Sequence, residues 1–216
     1  MHDLETRIDD EFKVKVLRGK CTAAAANLRG DDGSWRELAP GSSHTSLVNE
    51  SLAGARALGV ERLFWNEKAQ ELVAVVWFGG ATSGWPGVTH GGCIAIVMGE
   101  KMALAARLAK HGLEAQLPGV ESTEANHVDV TYKKPTYANA FYVVRMLPRV
   151  AEDLPSTNGD VEVAGTLETL DGKICVAVSG LVPVSGITTS SNASFASTSR
   201  AKSWIGWPSR SQTPQG

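Results

Sequence analysis

Cysteine is scarce in this chain, and its placement excludes a good deal. Cys21, Cys93 and Cys175 stand far apart in 216 residues, with none of the close pairs that zinc ribbons or dithiol redox sites need. We read them as thiols of a reducing compartment and expect a cytoplasmic protein. Long apolar runs are also missing: no stretch approaches the roughly 18 to 20 residues of a membrane span, and no basic-then-apolar start marks a signal peptide. Charge of one sign is lacking too. With 21 basic and 23 acidic residues the net charge is -2, which offers no general attraction to nucleic acid or to an anionic membrane. There is no P-loop, dinucleotide glycine fingerprint, zinc-binding helix pair or nucleophile-elbow serine. No cofactor or metal is therefore expected.

What is present is core. The chain is 43% hydrophobic, enough for one domain with a substantial interior. It is organised around residues 84–108. There Gly84-Trp85-Pro86-Gly87-Val88-Thr89-His90-Gly91-Gly92 runs into Cys93-Ile94-Ala95-Ile96-Val97-Met98, and then into Met102-Ala103-Leu104-Ala105-Ala106-Arg107-Leu108. A helix apolar on nearly every face is buried on nearly every face, and His111-Gly112 supplies its stop. The material to wrap it is β-branched. Arg62-Leu63-Phe64-Trp65 and 71–78 flank the polar hairpin loop Asn66-Glu67-Lys68-Ala69-Gln70. After a loop at 113–122, strands are predicted over 126–133, 140–147, 161–170 and 173–184, with Asp171-Gly172 as the strongest hairpin turn. Two strands, one long helix and four strands predict an α+β fold, a curved antiparallel sheet of about six strands around one helix.

Residues 1–59 read as an N-terminal helical extension. One short helix is expected over 23–30, a turn at Asp31-Asp32-Gly33, and a second helix over 46–58 with Leu47, Leu52, Ala55 and Leu58 near one face. Residues 60–185 form the main domain. From 186 to 216 the chain is a Ser/Thr-rich tail too polar to fold alone, in which Trp204, Ile205 and Trp207 suit either docking or a loose end.

Two motifs carry a resemblance. Pro86-Gly87-Val88-Thr89-His90-Gly91-Gly92, followed by the buried helix, and Val128-Asp129-Val130-Thr131-Tyr132-Lys133-Lys134-Pro135 about forty residues on resemble the hotdog-fold acyl-thioesterases, in the branch of the thioesterase-superfamily-member-four-like and PaaI-like proteins. The resemblance covers about 60–184. It implies a hotdog fold, a pocket between two subunits of a homodimer, a helical lid ahead of the hotdog unit, and an acyl thioester substrate whose carbonyl meets backbone N–H groups near Gly91 or Gly92. A packing extension with no role at the site is an equal reading of residues 1–59. Physically, a helix start offers unpaired N–H groups, and two glycines allow close approach. His90 has two readings, a loop histidine bonded to backbone or a catalytic base.

Hydrolysis in the resembling enzymes uses a carboxylate eight residues after the first glycine. That count from Gly91 reaches Gly99, which has no side chain. Glu100 is one step away, about 100° around the helix. It reads either as an acid-base group, desolvated in so apolar a segment and raised in pKa, or as a partner of Lys101 or Arg107 or of a second subunit. The hydroxyl expected seven residues before the strand tyrosine is replaced by Ala125. Strand parity places Val128, Val130 and Tyr132 on the core face, and His127, Asp129 and Thr131 on the other. His127 and Asp129 thus read as replacement acid-base groups or as a polar outer face, and Lys133, Lys134 and Arg145 as phosphate contacts or a solvated strand end.

The candidate catalytic residues are Glu100, His127 and Asp129. The candidate substrate contacts are Trp85, His90, Gly91, Gly92, Gly99 and Asn126. Three functions follow. The first is a repurposed hotdog enzyme acting on a hydrophobic small molecule by cyclisation (for instance an intramolecular cycloaddition), isomerisation or dehydration in natural-product biosynthesis. The second is an acyl-CoA or acyl-carrier thioesterase using Glu100. The third is a non-catalytic acyl-binding protein.

Overall fold

The computed structural model describes residues 2–25, 34–39, 52–116, 125, 127–150 and 160–184. The expected turn at Asp31-Asp32-Gly33, the start of the 46–58 segment, most of the loop after Gln116, Asn126 and the tail from 186 lie outside the described residues.

Seven strands form one antiparallel sheet: β1 (Trp35–Leu38), β2 (Glu61–Asn66), β3 (Glu71–Phe78), β6 (His127–Tyr132), β7 (Ala140–Val150), β8 (Asp160–Thr169) and β9 (Ile174–Pro183). Their order is β1-β2-β3-β7-β8-β9-β6. A small ribbon, β4 (Ser83–Trp85) with β5 (Val88–Thr89), leads into the long helix α3 (Gly91–His111). Before the sheet come α1 (His2–Asp10) and α2 (Phe12–Ala25).

The hairpins close where the turn chemistry predicts. Asn66 accepts the Ala69 N–H through Oδ1 at 2.9 Å. Gly172 takes a positive φ of 86° in the β8–β9 turn, where its N–H reaches the Thr169 carbonyl at 2.9 Å. Helix α3 ends at Gly112, whose φ is 58°, a backbone conformation glycine adopts without a Cβ penalty.

Both faces of the central strands are buried, and alternation sorts them. Leu63, Trp65, Ala74, Val76 and Phe78 face α3, whose Met98, Met102, Leu104 and Leu108 are buried against the sheet. Phe64, Val73, Val75, Trp77, Phe141 and Val143 face the other way, under Leu4, Ile8, Val14 and Leu17 of α1 and α2. A strand covered on both sides reads as a continuous apolar run, as Leu72 to Phe78 does. Arg62 ties the outer layer down. Its guanidinium donates to Glu5 at 2.6 Å and to Asp9 at 2.8 Å, and Arg7 lies over the Trp77 and Phe141 rings.

Three expectations for the N-terminal region are corrected. The helix predicted from Ala23 starts earlier: residues 23–25 end α2, which begins at Phe12, and 26–30 lie outside the described residues. Strand β1 adds a seventh strand that was not foreseen. The described part of the predicted 46–58 helix is not helical: Gly54 has a φ of 125°, and the segment forms turns held to the end of β3. There the Gly79 N–H donates to Ala57 at 2.7 Å and the Ala81 N–H to Arg56 at 2.6 Å, while the Trp77 indole donates to the Ala55 carbonyl at 2.9 Å. No Cβ fits at Gly79, where one would lie 2.4 Å from the Arg56 carbonyl.

The far edge of the sheet is equally tight. Val128 of β6 pairs with Gly180 of β9, and a Cβ at Gly180 would stand 2.1 Å from the His127 carbonyl oxygen. Gly180→Ala is therefore expected to displace β6 and cost about 1–3 kcal/mol. A fall in the thermal midpoint by circular dichroism checks this. An unchanged midpoint would mean that β6 shifts without penalty.

Candidate functional site

The loop before α3 is tied to the loop after β6. The Thr89 N–H donates to the Thr136 carbonyl at 2.8 Å, and the Ala138 N–H to Gly87 at 2.9 Å. Gly87 makes the intervening turn with a φ of 75°. These bonds place Trp85 and Val88 beside Lys133, Lys134 and Pro135, with the first turn of α3 between them. The result is an open groove of ≈ 540 Å³, lined by Trp85, Val88, Thr89, Gly91, Ile94, Tyr132, Lys133, Lys134, Pro135 and Thr136.

His90 caps the helix. Its Nδ1 accepts the Gly92 N–H at 3.0 Å, and its own N–H donates to the Thr82 carbonyl at 2.7 Å. Gly84 makes room for the ring, since a Cβ there would lie 2.7 Å from His90 Cδ2. The imidazole thus binds backbone, one of its two readings. Gly92 spends its N–H on this cap; Gly91, which lines the groove, and Cys93 carry the other first-turn N–H groups, which have no preceding helical carbonyl to receive them. Tyr132 donates its hydroxyl to the Gly91 carbonyl at 2.8 Å, and a Cβ on Gly91 would stand 3.1 Å from that hydroxyl. Burial raises the Tyr132 pKa, so the phenol stays a donor at neutral pH.

Tyr132 is a correction to strand parity. It was expected in the core, yet it is 52% exposed and walls the groove. Val128 and Val130 do pack against the core. Tyr132, Thr136 and the lysine pair belong to the groove by geometry. The sequence signal that marked Tyr132 and the lysines was the Tyr132-Lys133-Lys134-Pro135 motif, while Thr136, one residue beyond it, carried none.

The remaining candidates fall elsewhere. Gly99 is half-buried, and a Cβ there meets nothing within 4 Å. Glu100 is buried and outside the groove lining. Its Oε2 lies 3.9 Å from Lys101 Nζ, which reaches Glu61 at 2.6 Å, and among the described residues its Oε1 has no hydrogen-bond partner. Desolvation pushes the Glu100 pKa up to about 7, opposed by the Lys101 charge and reinforced by Glu61. Burial lowers the Arg107 pKa.

His127 and Asp129 lie together on β6, with Nε2 and Oδ2 3.2 Å apart, but are 71% and 72% exposed and do not line the groove. Ala125 packs against the core. Asn126 lies outside the described residues. Among the described residues no His, Cys, Asp and Glu cluster is placed to hold a metal, and no helix is long and apolar enough to cross a membrane.

No family model matches the chain. An uncharacterized mitochondrial membrane protein of Saccharomyces cerevisiae is 32% identical over 103 residues, which covers 44% of this chain and 40% of that protein. The chain thus spans less than half the length of that curated relative. Among solved structures, a hypothetical thioesterase from Streptococcus pneumoniae TIGR4 with coenzyme A is 11% identical, covers 61% of this chain and 90% of its own, and has a TM-score of 0.47. The Escherichia coli PaaI protein from the phenylacetic acid degradation operon is 13% identical, over 55% of this chain and 75% of its own, with a TM-score of 0.43. A putative thioesterase from Ralstonia eutropha JMP134 is 16% identical, over 74% and 98%, with a TM-score of 0.45. The assignment of fold rests on the chain's own topology. A long helix is wrapped by an antiparallel sheet, the strand that follows the helix lies at the far edge, and the helix begins at a glycine pair: this is a hotdog-fold protein.

Proposed function

We propose that the groove at the start of α3 takes an acyl thioester of the coenzyme A type and polarises its carbonyl without hydrolysing it in the manner of the resembling thioesterases. The observation that carries this reading is the composition of the groove. Gly91 offers a helix-end N–H beside apolar walls from Trp85, Val88 and Ile94, and Lys133 and Lys134 stand at the same opening. An N–H at a helix start suits an oxyanion or a polarised carbonyl, and two lysines suit phosphate oxygens.

The hydrolytic side chains have no counterpart here. Gly99 carries no group, Ala125 carries no hydroxyl, and Glu100 is buried beside Lys101. A held and polarised carbonyl is also what cyclisation, isomerisation or dehydration of an apolar substrate would draw on, and any such chemistry would share this donor. The open edge of β6 calls for cover, and we infer that a second copy of the chain provides it.

Titration calorimetry of the full chain with coenzyme A and with acyl-CoAs of several lengths tests the proposal. Saturable binding is expected, about tenfold weaker in Lys133→Ala/Lys134→Ala, with no thiol release by the native chain. Absence of binding, or equal binding by the variant, would refute the assignment of the groove. Thiol release by the native chain that is lost in Glu100→Gln would restore the conventional mechanism.

A further inference from the structure

Two exposed aromatic side chains stand in one row beside the groove. Val88 of β5 pairs with Trp85 of β4 on one side and with Tyr137 on the other. The bonds from the Thr89 N–H to Thr136 and from the Ala138 N–H to Gly87 close a ring around Val88 and Tyr137. That pattern makes them a non-hydrogen-bonded antiparallel pair, with side chains close together on one face. Trp85 and Tyr137 therefore flank Val88, whose side lines the groove, and stand about 10 Å apart at the backbone. Such a gap admits one flat ring between two aromatic side chains, in contact at about 3.5 Å on each side. Trp85 is 79% exposed and Tyr137 61% exposed, yet the row is fixed. The buried Tyr142 hydroxyl accepts the Tyr137 N–H at 2.7 Å and donates to the Tyr137 carbonyl at 3.0 Å.

Next to this row the alternation of the sheet edge breaks. The N–H groups of Lys133 and Lys134 both donate to the Cys175 carbonyl, at 2.8 and 3.0 Å. Two consecutive residues opposite one partner make a β-bulge, which re-aims side chains. Both lysines accordingly line the groove, where a regular strand would send them to opposite faces. Among the described residues neither is held in an ion pair. Two exposed ammonium groups at one opening suit a ligand that carries more than one negative charge.

We propose that the row of Trp85, Val88 and Tyr137 seats a purine ring, so that the thioester reaches the groove on free coenzyme A rather than on a carrier protein. The inference rests on the reading of the groove as a site for a thioester of the coenzyme A type, and it adds the part of the ligand that is recognised outside the groove lining. A purine bearing phosphates engages the rings and the lysines together. An apolar protein surface would cover the rings and leave the lysine pair without an anion. A thioester borne on a protein has no purine to place in the row.

The test is titration calorimetry of the full chain with butyryl-CoA and with butyryl-pantetheine, which carries the same thioester without the nucleotide. Butyryl-CoA is expected to bind the native chain at least about tenfold more tightly. Its affinity should fall about tenfold in Tyr137→Ala and in Trp85→Ala and be kept in Tyr137→Phe, because stacking needs the ring and not the hydroxyl. Thermal melts establish that the variants fold. Equal affinity of the native chain for the two ligands overturns this proposal and leaves the reading of the groove standing, whereas binding of neither overturns both. Tighter binding of butyryl-CoA that both alanine variants retain assigns the preference to phosphate alone and overturns the seat for the purine. Self-association that disappears in Trp85→Ala/Tyr137→Ala by sedimentation velocity, with butyryl-CoA affinity unchanged, overturns it in favour of a second copy of the chain.

Discussion

Aspartate in place of Gly99 is expected to confer thioester hydrolysis on this chain. Position 99 lies on α3 outside the groove lining, at the count from Gly91 where the resembling thioesterases carry their carboxylate, and among the described residues a Cβ there meets nothing within 4 Å beyond α3's own backbone. The residue is half-buried, so a carboxylate would have room without losing all its water. Glycine is also the poorer helix former, so the exchange does not weaken α3. A positioned general base contributes typically 10²–10⁴-fold. We therefore expect thiol release from acyl-CoA in Gly99→Asp to rise by about 10²-fold over the native chain, and further in Gly99→Asp/Ala125→Ser. The measurement is release of free thiol across short, long and aromatic acyl-CoAs. If the variant folds and binds coenzyme A but releases no more thiol than the native chain, position 99 does not face the thioester. Loss of binding would instead point to the groove.

The second large effect concerns Glu100. Its carboxyl is buried, one oxygen has no partner among the described residues, and desolvation pushes its pKa up to about 7, against about 4.3 for an unfolded glutamate. The folded protein therefore holds this proton over a range where the unfolded chain has released it. The contribution to stability is complete below about pH 4.3 and is lost as pH rises through about 7, flattening above it. Its upper size is about 4 kcal/mol by linkage. Glu100→Gln keeps the shape and removes the titration, while Lys101 retains Glu61 at 2.6 Å. Urea unfolding at pH 5 and pH 8 should show the native chain losing stability relative to Glu100→Gln, with the variant more stable at pH 8 by about 1–3 kcal/mol. Parallel pH profiles would show that Glu100 is ionised throughout.

Much of the fold was legible because burial and local pattern agree. Leu72 to Phe78 is apolar throughout and lies between two covered faces. The stretch from Gly91 to His111 is apolar around its circumference and is wrapped by the sheet. Asp171-Gly172 turns where φ must be positive. Elements whose burial depends on a distant partner were not legible. Strand β1 reads Trp-Arg-Glu-Leu with only its ends buried, which is no strand alternation, and it exists because β2 offers an edge. Helix α1 has just Leu4 and Ile8 to bury, and its place is set by Arg62, more than fifty residues away. Leu52 to Leu58 has helical spacing, but backbone bonds to Gly79 and Ala81 hold it in turns.

The candidate site divides in the same way. The glycine pair, the Gly99 vacancy, the Ala125 substitution and the lysine pair were open to a reader of the chain, because each is a matter of residue type at a counted position. The duty of His90 as a cap, the donation from Tyr132 to Gly91, the partners of Glu100 and the exposure of His127 and Asp129 were decided only by tertiary structure. A side chain's protonation, partner and access to a groove depend on atoms brought from elsewhere in the chain. For Glu100 those are Lys101 and Glu61. For Gly91 it is a phenol forty-one residues further on.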